Sequence, residues 1–270
     1  MLIGIKDILK KAQRRKVAIG AFNVFNLESA QAVVEAAEEL GAPVIVQTTP
    51  KAIAYSGIQY LADIIKKLAK GAKVPVVFHL DHGLNLETIA DCLTAGYSSL
   101  MIDGSSLPFT ENVAITKKAV EMADKKKVAM EGEIGTLSEH LRFTNPEEAE
   151  DFARQTKVNS LAVSVGSSHG HAPVEKLDLY LLRKIHYRVY IPLVLHGASG
   201  VSDEDIKGAI KHGVCKINID TELREKFTGA VRKIIRNEKV VDPRDYLSSA
   251  KEAVKNAVKQ KILLFGSINA

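Results

Sequence analysis

Short runs of Val, Ile, Leu and Ala alternate along the whole chain with longer stretches in which apolar positions recur every three or four residues. A short apolar run bounded by turn residues is the pattern of a strand buried on both faces, and the longer period is that of an amphipathic helix. Strands are predicted near 17–22, 43–47, 74–80, 98–102, 128–133, 160–164, 192–195 and 214–219. Helices are predicted over 28–40, 58–70, 86–95, 113–125, 146–156, 177–187, 203–212 and 222–237. Gly41, Gly71, Gly96 and Gly213 stand where left-handed C-caps would close helices. Asn145 before Pro146, and Ser202 before Asp203, stand where N-caps would accept the free amides of a first turn.

Such alternation implies a parallel sheet with crossover helices, as either a closed barrel or an open doubly wound sheet. Polar residues decide between them. Asn23, Thr49, Asp81 with His82, Asp103, Glu133, His169, His196, and Asn218 with Asp220 fall at or just after the C-terminal ends of the predicted strands. In a barrel those ends share one rim, whereas in an open sheet they spread along an edge. The expected fold is therefore an α/β (β/α)8 TIM barrel, a single domain over residues 1–270. That length suits it, since such barrels run to roughly 250 residues. Residues 5–14 should form a helix over the barrel floor, and residues 249–264 an extra C-terminal helix whose expected use is partner contact.

Composition narrows the function classes. With 46% hydrophobic and 26% charged residues, the chain reads as a globular protein with a large core and no disordered segment. It has no window long enough for a membrane span and no basic start followed by an apolar stretch, so a cytoplasmic protein is expected. The net charge of +5 comes from lysines spread over helix faces without interleaved aromatics, which argues against nucleic acid and membrane partners. Cys92 and Cys215 lack metal-binding or redox spacing and read as small buried hydrophobes.

The chemistry concentrates in three segments, His79-Leu80-Asp81-His82-Gly83, Gly166-Ser167-Ser168-His169-Gly170 and Leu195-His196-Gly197-Ala198-Ser199-Gly200, each with a histidine beside glycine after an apolar run. Glycine there permits a sharp turn and close approach to a ligand. His82, His169 and His196 supply the three neutral ligands of a catalytic Zn²⁺ that keeps a fourth position open. Asp81 is a proton donor or acceptor beside the metal, or an orienter of a ligand histidine, and strand alternation points it away from the adjoining His82. Asp103 and Glu133 could hold a second divalent ion or accept imidazole protons. His79 shares a face with Asp81 and reads as a hydrogen-bonding neighbour, while Glu131 is a deeper residue that needs its own partner. Gly197-Ala198-Ser199-Gly200 and Asn218-Ile219-Asp220-Thr221 offer amides and hydroxyls at a helix start, where barrels bind phosphate; a glycine turn with an Asp or Thr cap is the alternative.

These segments, with Met101-Ile102-Asp103-Gly104-Ser105 and Lys216-Ile217-Asn218-Ile219-Asp220-Thr221, resemble class II, zinc-dependent ketose-bisphosphate aldolases, from Gly20-Ala21-Phe22-Asn23 through Asp242-Pro243-Arg244-Asp245-Tyr246-Leu247 to Phe265-Gly266-Ser267. The resemblance implies that His82, His169 and His196 bind the catalytic Zn²⁺, that Asp103 and Glu133 match a second or alternative metal site, and that Asp81 matches the catalytic acid. Gly170, Gly197, Ala198, Ser199, Asn218, Ile219, Asp220 and Thr221 match the segments that hold dihydroxyacetone phosphate. Asn23 joins them at the rim, and Thr49 matches a hydroxyl residue near the other phosphate. Arg244 matches an arginine reaching that phosphate from a neighbouring subunit, so a homodimer or homotetramer is implied. A second divalent metal or a monovalent cation is the further cofactor. The implied reaction is reversible cleavage of a ketose 1,6-bisphosphate, fructose 1,6-bisphosphate first, to dihydroxyacetone phosphate and an aldehyde. Tagatose bisphosphate, another phosphorylated ketose, or a non-catalytic partner subunit are the alternatives.

The chain departs from the family pattern beside the substrate. The loop after the fifth strand is the short Thr136-Leu137-Ser138-Glu139-His140-Leu141-Arg142, in which Glu139 is the nearest candidate for the proton shuttle. Gly170 is followed by His171-Ala172-Pro173-Val174, Ala198 replaces a second glycine, and Lys51-Ala52-Ile53 replaces small residues after the second strand.

Overall fold

The computed structural model describes residues 1–136, 142–168 and 176–268. Helix α1 (Ile5–Arg15) precedes β1 (Ile19–Asn23), α2 (Leu27–Leu40), β2 (Val44–Thr48), α3 (Pro50–Ser56), α4 (Ile58–Gly71), β3 (Val76–Gly83), α5 (Leu86–Ala95), β4 (Ser99–Ile102) and α6 (Phe109–Lys125). There follow β5 (Ala129–Ile134), α7 (Pro146–Thr156), β6 (Ser160–Val163), α8 (Leu179–Arg188), β7 (Leu193–Leu195), α9 (Asp203–Lys211), β8 (Val214–Ile219), α10 (Thr221–Ile235) and α11 (Pro243–Phe265). The strands pair in parallel in chain order, and β8 closes on β1. This is the expected (β/α)8 barrel.

Side-chain alternation sorts each strand into two environments. Phe22, Val46, Phe78, Leu80, Leu100, Met130, Leu161, Leu193 and Ile217 face outward into the main core beneath the helices. At the floor, Ile19, Ala21, Ile45, Val77, Ala129 and Cys215 pack on Ile5, Leu9 and Ala12 of α1. Helix α1 thus plugs the barrel as expected, so the polar inward residues above this layer have only the C-terminal rim to face. Cys92 and Cys215 are buried and free, with burial pushing both thiols up to about 12.

Local signals set most boundaries. Asn145 and Ser202 cap α7 and α9 as expected, and Gly41 and Gly96 close α2 and α5 in the left-handed conformation. Gly71 does not; α4 runs through it and ends at Ala72 in an extended conformation. Helix α3 is not among the expected elements. Its signal is Thr49 before Pro50, an N-cap with proline in the first turn, and the Thr49 hydroxyl accepts the Ala52 amide at 3.2 Å.

The C-terminal helix, expected over 249–264, begins earlier, at Pro243. Helix α11 buries Ala250, Val254, Ala257, Val258, Ile262 and Phe265, and it lies against α2 and α10 of its own barrel. Phe265 sits under Gly20 of β1 and accepts the Ala18 amide with its carbonyl. Packing within the chain therefore accounts for this helix. Replacing Phe265 by Ala should destabilise the protein by about 3–5 kcal/mol, read as a lowered midpoint of denaturant unfolding. A shift below about 1 kcal/mol would show that α11 is not part of the cooperative core. Among the described residues, no helix is long and apolar enough to cross a membrane.

Candidate active site and metal centre

Two strand irregularities build the site. Between Leu80 and Gly83 the register of β3 with β4 shifts, and His82 within that bulge takes a positive φ of 51°. A bulge re-aims a side chain that regular alternation would send to the other face. Asp81 and His82 therefore do not point apart as expected; Asp81 Oδ1 lies 3.8 Å from His82 Nε2. On β8 the register with β7 skips from Val214 to Lys216, leaving Cys215 as the extra residue. That slip turns Lys216, Asn218 and Asp220 toward the barrel axis.

Both described histidines of the predicted metal site converge. His196 Nδ1 and His82 Nε2 lie 3.0 Å apart. Their outer nitrogens meet carboxylates, with His82 Nδ1 2.7 Å from Asp103 Oδ2 and His196 Nε2 2.9 Å from Glu131 Oε1. With both imidazoles neutral and each proton directed to its carboxylate, the facing nitrogens would present two lone pairs to one point. Glu133 Oε2, buried and without a hydrogen-bond partner among the described residues, lies 3.8 Å from His82 Nδ1 and 3.9 Å from His196 Nδ1. Opposed lone pairs ringed by carboxylates fit a divalent cation. Two groups, Asp81 with His82 and His196, and His82 with Asp103 and Glu133, have ligand atoms within 4.8 Å of one another.

The electrostatics agree. Burial lowers the His82 pKa, but the carboxylates of Asp81, Asp103 and Glu133 outweigh it and push it up to about 10. Burial followed by the neighbouring Asp103 charge raises Glu133 well above the usual carboxylate range. Burial also works against Asp81, yet His82, His196 and Lys216 hold its pKa below normal. Its oxygens are fixed by amides, Oδ2 accepting from Asn23 at 2.8 Å and Oδ1 from Asn218 at 3.0 Å. Gln47 in turn donates to Asn23 at 2.7 Å.

A cavity of about 180 Å³ opens between Asp81 and His82 on one side and Gly197, Ser199, Asp220 and Thr221 on the other. Ser199 Oγ accepts the Glu222 amide at 3.3 Å in the first turn of α10. Asp220 does not cap that helix; its carboxylate pairs with Arg224 Nε at 3.0 Å, and burial raises its pKa. Thr221 thus borders the cavity at the positive end of the helix. A second cavity of about 410 Å³ adjoins it, sharing Asn23, Thr49, Asp220 and Arg224 and lined further by Lys51 and Tyr55.

Several expected contacts take another form. Gly197, at φ 63°, lets the chain approach the backbone of Ser168, whose carbonyl oxygen would stand 2.5 Å from an added Cβ. Gly83 likewise abuts the Met101 carbonyl, so both glycines allow close backbone packing, while Gly197 also borders the cavity. Ala198 and Ile219 bury their side chains in the helix layer, leaving only their backbones for a ligand. Arg244, exposed in the first turn of α11, pairs with Asp242 at 2.6 Å and lines neither cavity of its own chain. Glu139, His169 and Gly170 lie outside the described residues.

The sequence reading overlooked Lys216 as a site residue. Fully buried, it places Nζ 3.0 Å from Glu131 Oε2 and 3.4 Å from His79 Nε2, and is the partner that Glu131 requires. Its signal was the alternation Lys216, Asn218, Asp220 on one strand face. Arg224 was overlooked as a cavity residue because the first turn of α10 brings it there, whereas Lys51, noted in the sequence as bordering the substrate, lines the second cavity from α3.

Solved structures carry the same architecture with related sequences. The crystal structure of the YdjI aldolase from Escherichia coli K12 matches with a TM-score of 0.92 at 35% identity, covering 99% of this chain and 98% of that one. Fructose-bisphosphate aldolase from Campylobacter jejuni matches with a TM-score of 0.89 at 27% identity, covering 99% of this chain and 96% of that one. The family model described as fructose-bisphosphate aldolase class-II matches residues 3–270. Because that match takes in every strand of the barrel and every carboxylate and histidine of its rim cluster, the chain belongs to the class II fructose-bisphosphate aldolase family and is an aldolase.

Proposed function

We propose that this aldolase is zinc-dependent and reversibly cleaves a ketose 1,6-bisphosphate, fructose 1,6-bisphosphate first, to dihydroxyacetone phosphate and an aldehyde such as glyceraldehyde 3-phosphate. The observation that carries this reading is the meeting of His82, His196, Asp81 and Glu133 beside a cavity walled by the first turn of α10. His82 and His196 would hold the ion together with His169, and Asp103 and Glu133 would serve a second or alternative position. Neutral imidazoles with an open coordination position suit Zn²⁺. When bound, the ion supplies Lewis-acid polarisation of the ketose carbonyl.

The remaining steps belong to the side chains. Asp81, kept ionised by its cationic surroundings, takes the proton of the C4 hydroxyl as the C3–C4 bond breaks, and returns it to the aldehyde oxygen in condensation. Asn23 and Asn218 hold the carboxylate in place for this transfer. Gly197, Ala198 and Ser199, with Asn218 to Thr221 and Gly170, take the dihydroxyacetone phosphate end, its phosphate at the start of α10. Glu139 is assigned the proton on the dihydroxyacetone phosphate carbon. The adjoining cavity takes the far end of the sugar, where Thr49 and the Lys51 ammonium stand, with Arg244 supplied by a second copy in a homodimer or homotetramer.

Dihydroxyacetone phosphate release from fructose and tagatose 1,6-bisphosphates, followed in parallel on the zinc-loaded protein, tests this. The expected result is release from both with the higher kcat/KM on fructose 1,6-bisphosphate. A higher value on tagatose would transfer the assignment to that sugar. No release from either would overturn the bisphosphate reading and direct the search to other phosphorylated ketoses.

A further inference from the structure

Beneath the rim cluster lies a layer of ionisable and hydroxyl side chains that no step above uses. His79, Glu131 and Lys216 are at most 1% exposed, from three different strands, and Ser99 and Ser160 complete the layer. Burying an ammonium and a carboxylate costs more than burying apolar groups of similar volume, so packing alone gives no reason for this pair. The strand slip at Cys215 points the same way. Regular pairing would set Cys215 opposite Val194, but the extra residue sets Lys216 there instead.

The hydrogen bonds run in one direction. The Lys216 ammonium can only donate, reaching Glu131 Oε2 at 3.0 Å, Glu131 Oε1 at 3.2 Å and His79 Nε2 at 3.4 Å. His79 Nε2 is then an acceptor, which leaves its proton on Nδ1 for Ser99 Oγ at 2.8 Å. Glu131, its position fixed by Lys216 and by the Ser160 hydroxyl at 3.4 Å, can only accept, and it takes the His196 Nε2 proton at 2.9 Å. His196 Nδ1 therefore keeps its lone pair toward His82 Nε2. Asn218 Nδ2, 3.3 Å from His196 Nε2, is an amide donor engaged with Asp81 Oδ1 and cannot accept the Nε2 proton, which leaves the closer Glu131 oxygen as its acceptor.

We propose that Lys216 is a positioning residue that acts through Glu131 to lock His196 in the tautomer and orientation that directs the Nδ1 lone pair to the metal position beside His82 Nε2. This rests on the metal reading of His82 and His196 given above. Lys216 touches neither cavity, so its effect on metal binding passes through the imidazole, while its charge also helps to hold Asp81 ionised; metal affinity and spectrum, and not kcat, therefore isolate the positioning role.

The test measures Co²⁺ binding to metal-stripped protein by competition with a chelator, the visible spectrum of the Co²⁺ form, and kcat and KM separately. Lys216→Met and Glu131→Gln should each weaken Co²⁺ about 10–100-fold and alter the ligand-field bands. Both should lower kcat with KM changed by less than about twofold, the double variant should bind no worse than either single one, and Lys216→Arg should restore most of the affinity. A folded Lys216→Met variant with wild-type Co²⁺ affinity and spectrum would overturn the assignment. Should Lys216→Met fail to fold, the isosteric Glu131→Gln decides by the same readouts. Failure of the wild-type protein to bind Co²⁺ would overturn the metal reading itself, and this assignment with it.

Discussion

Replacing Asp81 with asparagine is expected to lower kcat by about 10²–10⁴, the usual contribution of a general acid or base, with a smaller change in KM. The residue is 4% exposed and borders the cavity beside His82. Its two oxygens accept amide protons from Asn23 and Asn218, so an asparagine amide would oppose one of those donors as well as lose the base. Leaving a buried donor unmatched costs about 1–3 kcal/mol, which the same variant should show in its unfolding midpoint. The sign of the pH dependence follows from the lowered pKa. Asp81 stays ionised below the normal carboxylate range, so the acid limb of kcat/KM should fall at lower pH than an unperturbed aspartate would give. Near-wild-type kcat in Asp81→Asn, with metal content unchanged, would remove Asp81 from the proton transfer.

Dialysis against a strong chelator should abolish dihydroxyacetone phosphate release, with recovery on adding Zn²⁺, and His82→Ala should not recover. Lewis-acid polarisation is worth several kcal/mol at a developing charge, so the loss should exceed about 10³-fold. Among the described residues, removal of His82 is expected to have the largest effect because it belongs to both ligand groups. Its pKa, pushed up to about 10 by the carboxylates, adds a second readout. The stripped protein carries a proton on this imidazole through neutral pH, and the metal must displace it. Metal affinity should therefore rise with pH up to about 10, with proton release measurable by an indicator dye during titration. Full activity after verified metal removal would contradict the mechanism at its root.

Much of this was legible along the chain. Eight apolar runs, each followed by a helical period and ending in a polar residue, were enough to expect a closed barrel with one functional rim. Strand and helix periods are local properties that a parallel barrel satisfies everywhere, so pattern and fold agree. His82 and His196 were identifiable because a histidine beside glycine after a buried strand is an unusual environment, and Asp103 because it follows one. Glu131 was recognised as a deep carboxylate in need of a partner.

What the linear pattern misses is the irregular pleat and the distant contact. Alternation sends Asp81 and His82 to opposite faces; the bulge in β3 brings them together, and only the pairing of β3 with β4 reveals it. The slip beside Cys215 comes from pairing with β7 and turns Lys216 toward Glu131, which lies 85 residues away. Gly197 borders the cavity, but the contact that leaves no room for a side chain there is the Ser168 carbonyl, supplied by another strand end. Helix α11 looked surplus until Phe265 met Gly20 across the length of the chain. The order of residues thus determined the elements, the barrel and the residue types at its rim, because these follow from period and position. Tertiary structure decided which side chains meet, because bulges and cross-strand partners depend on neighbours that no local window contains.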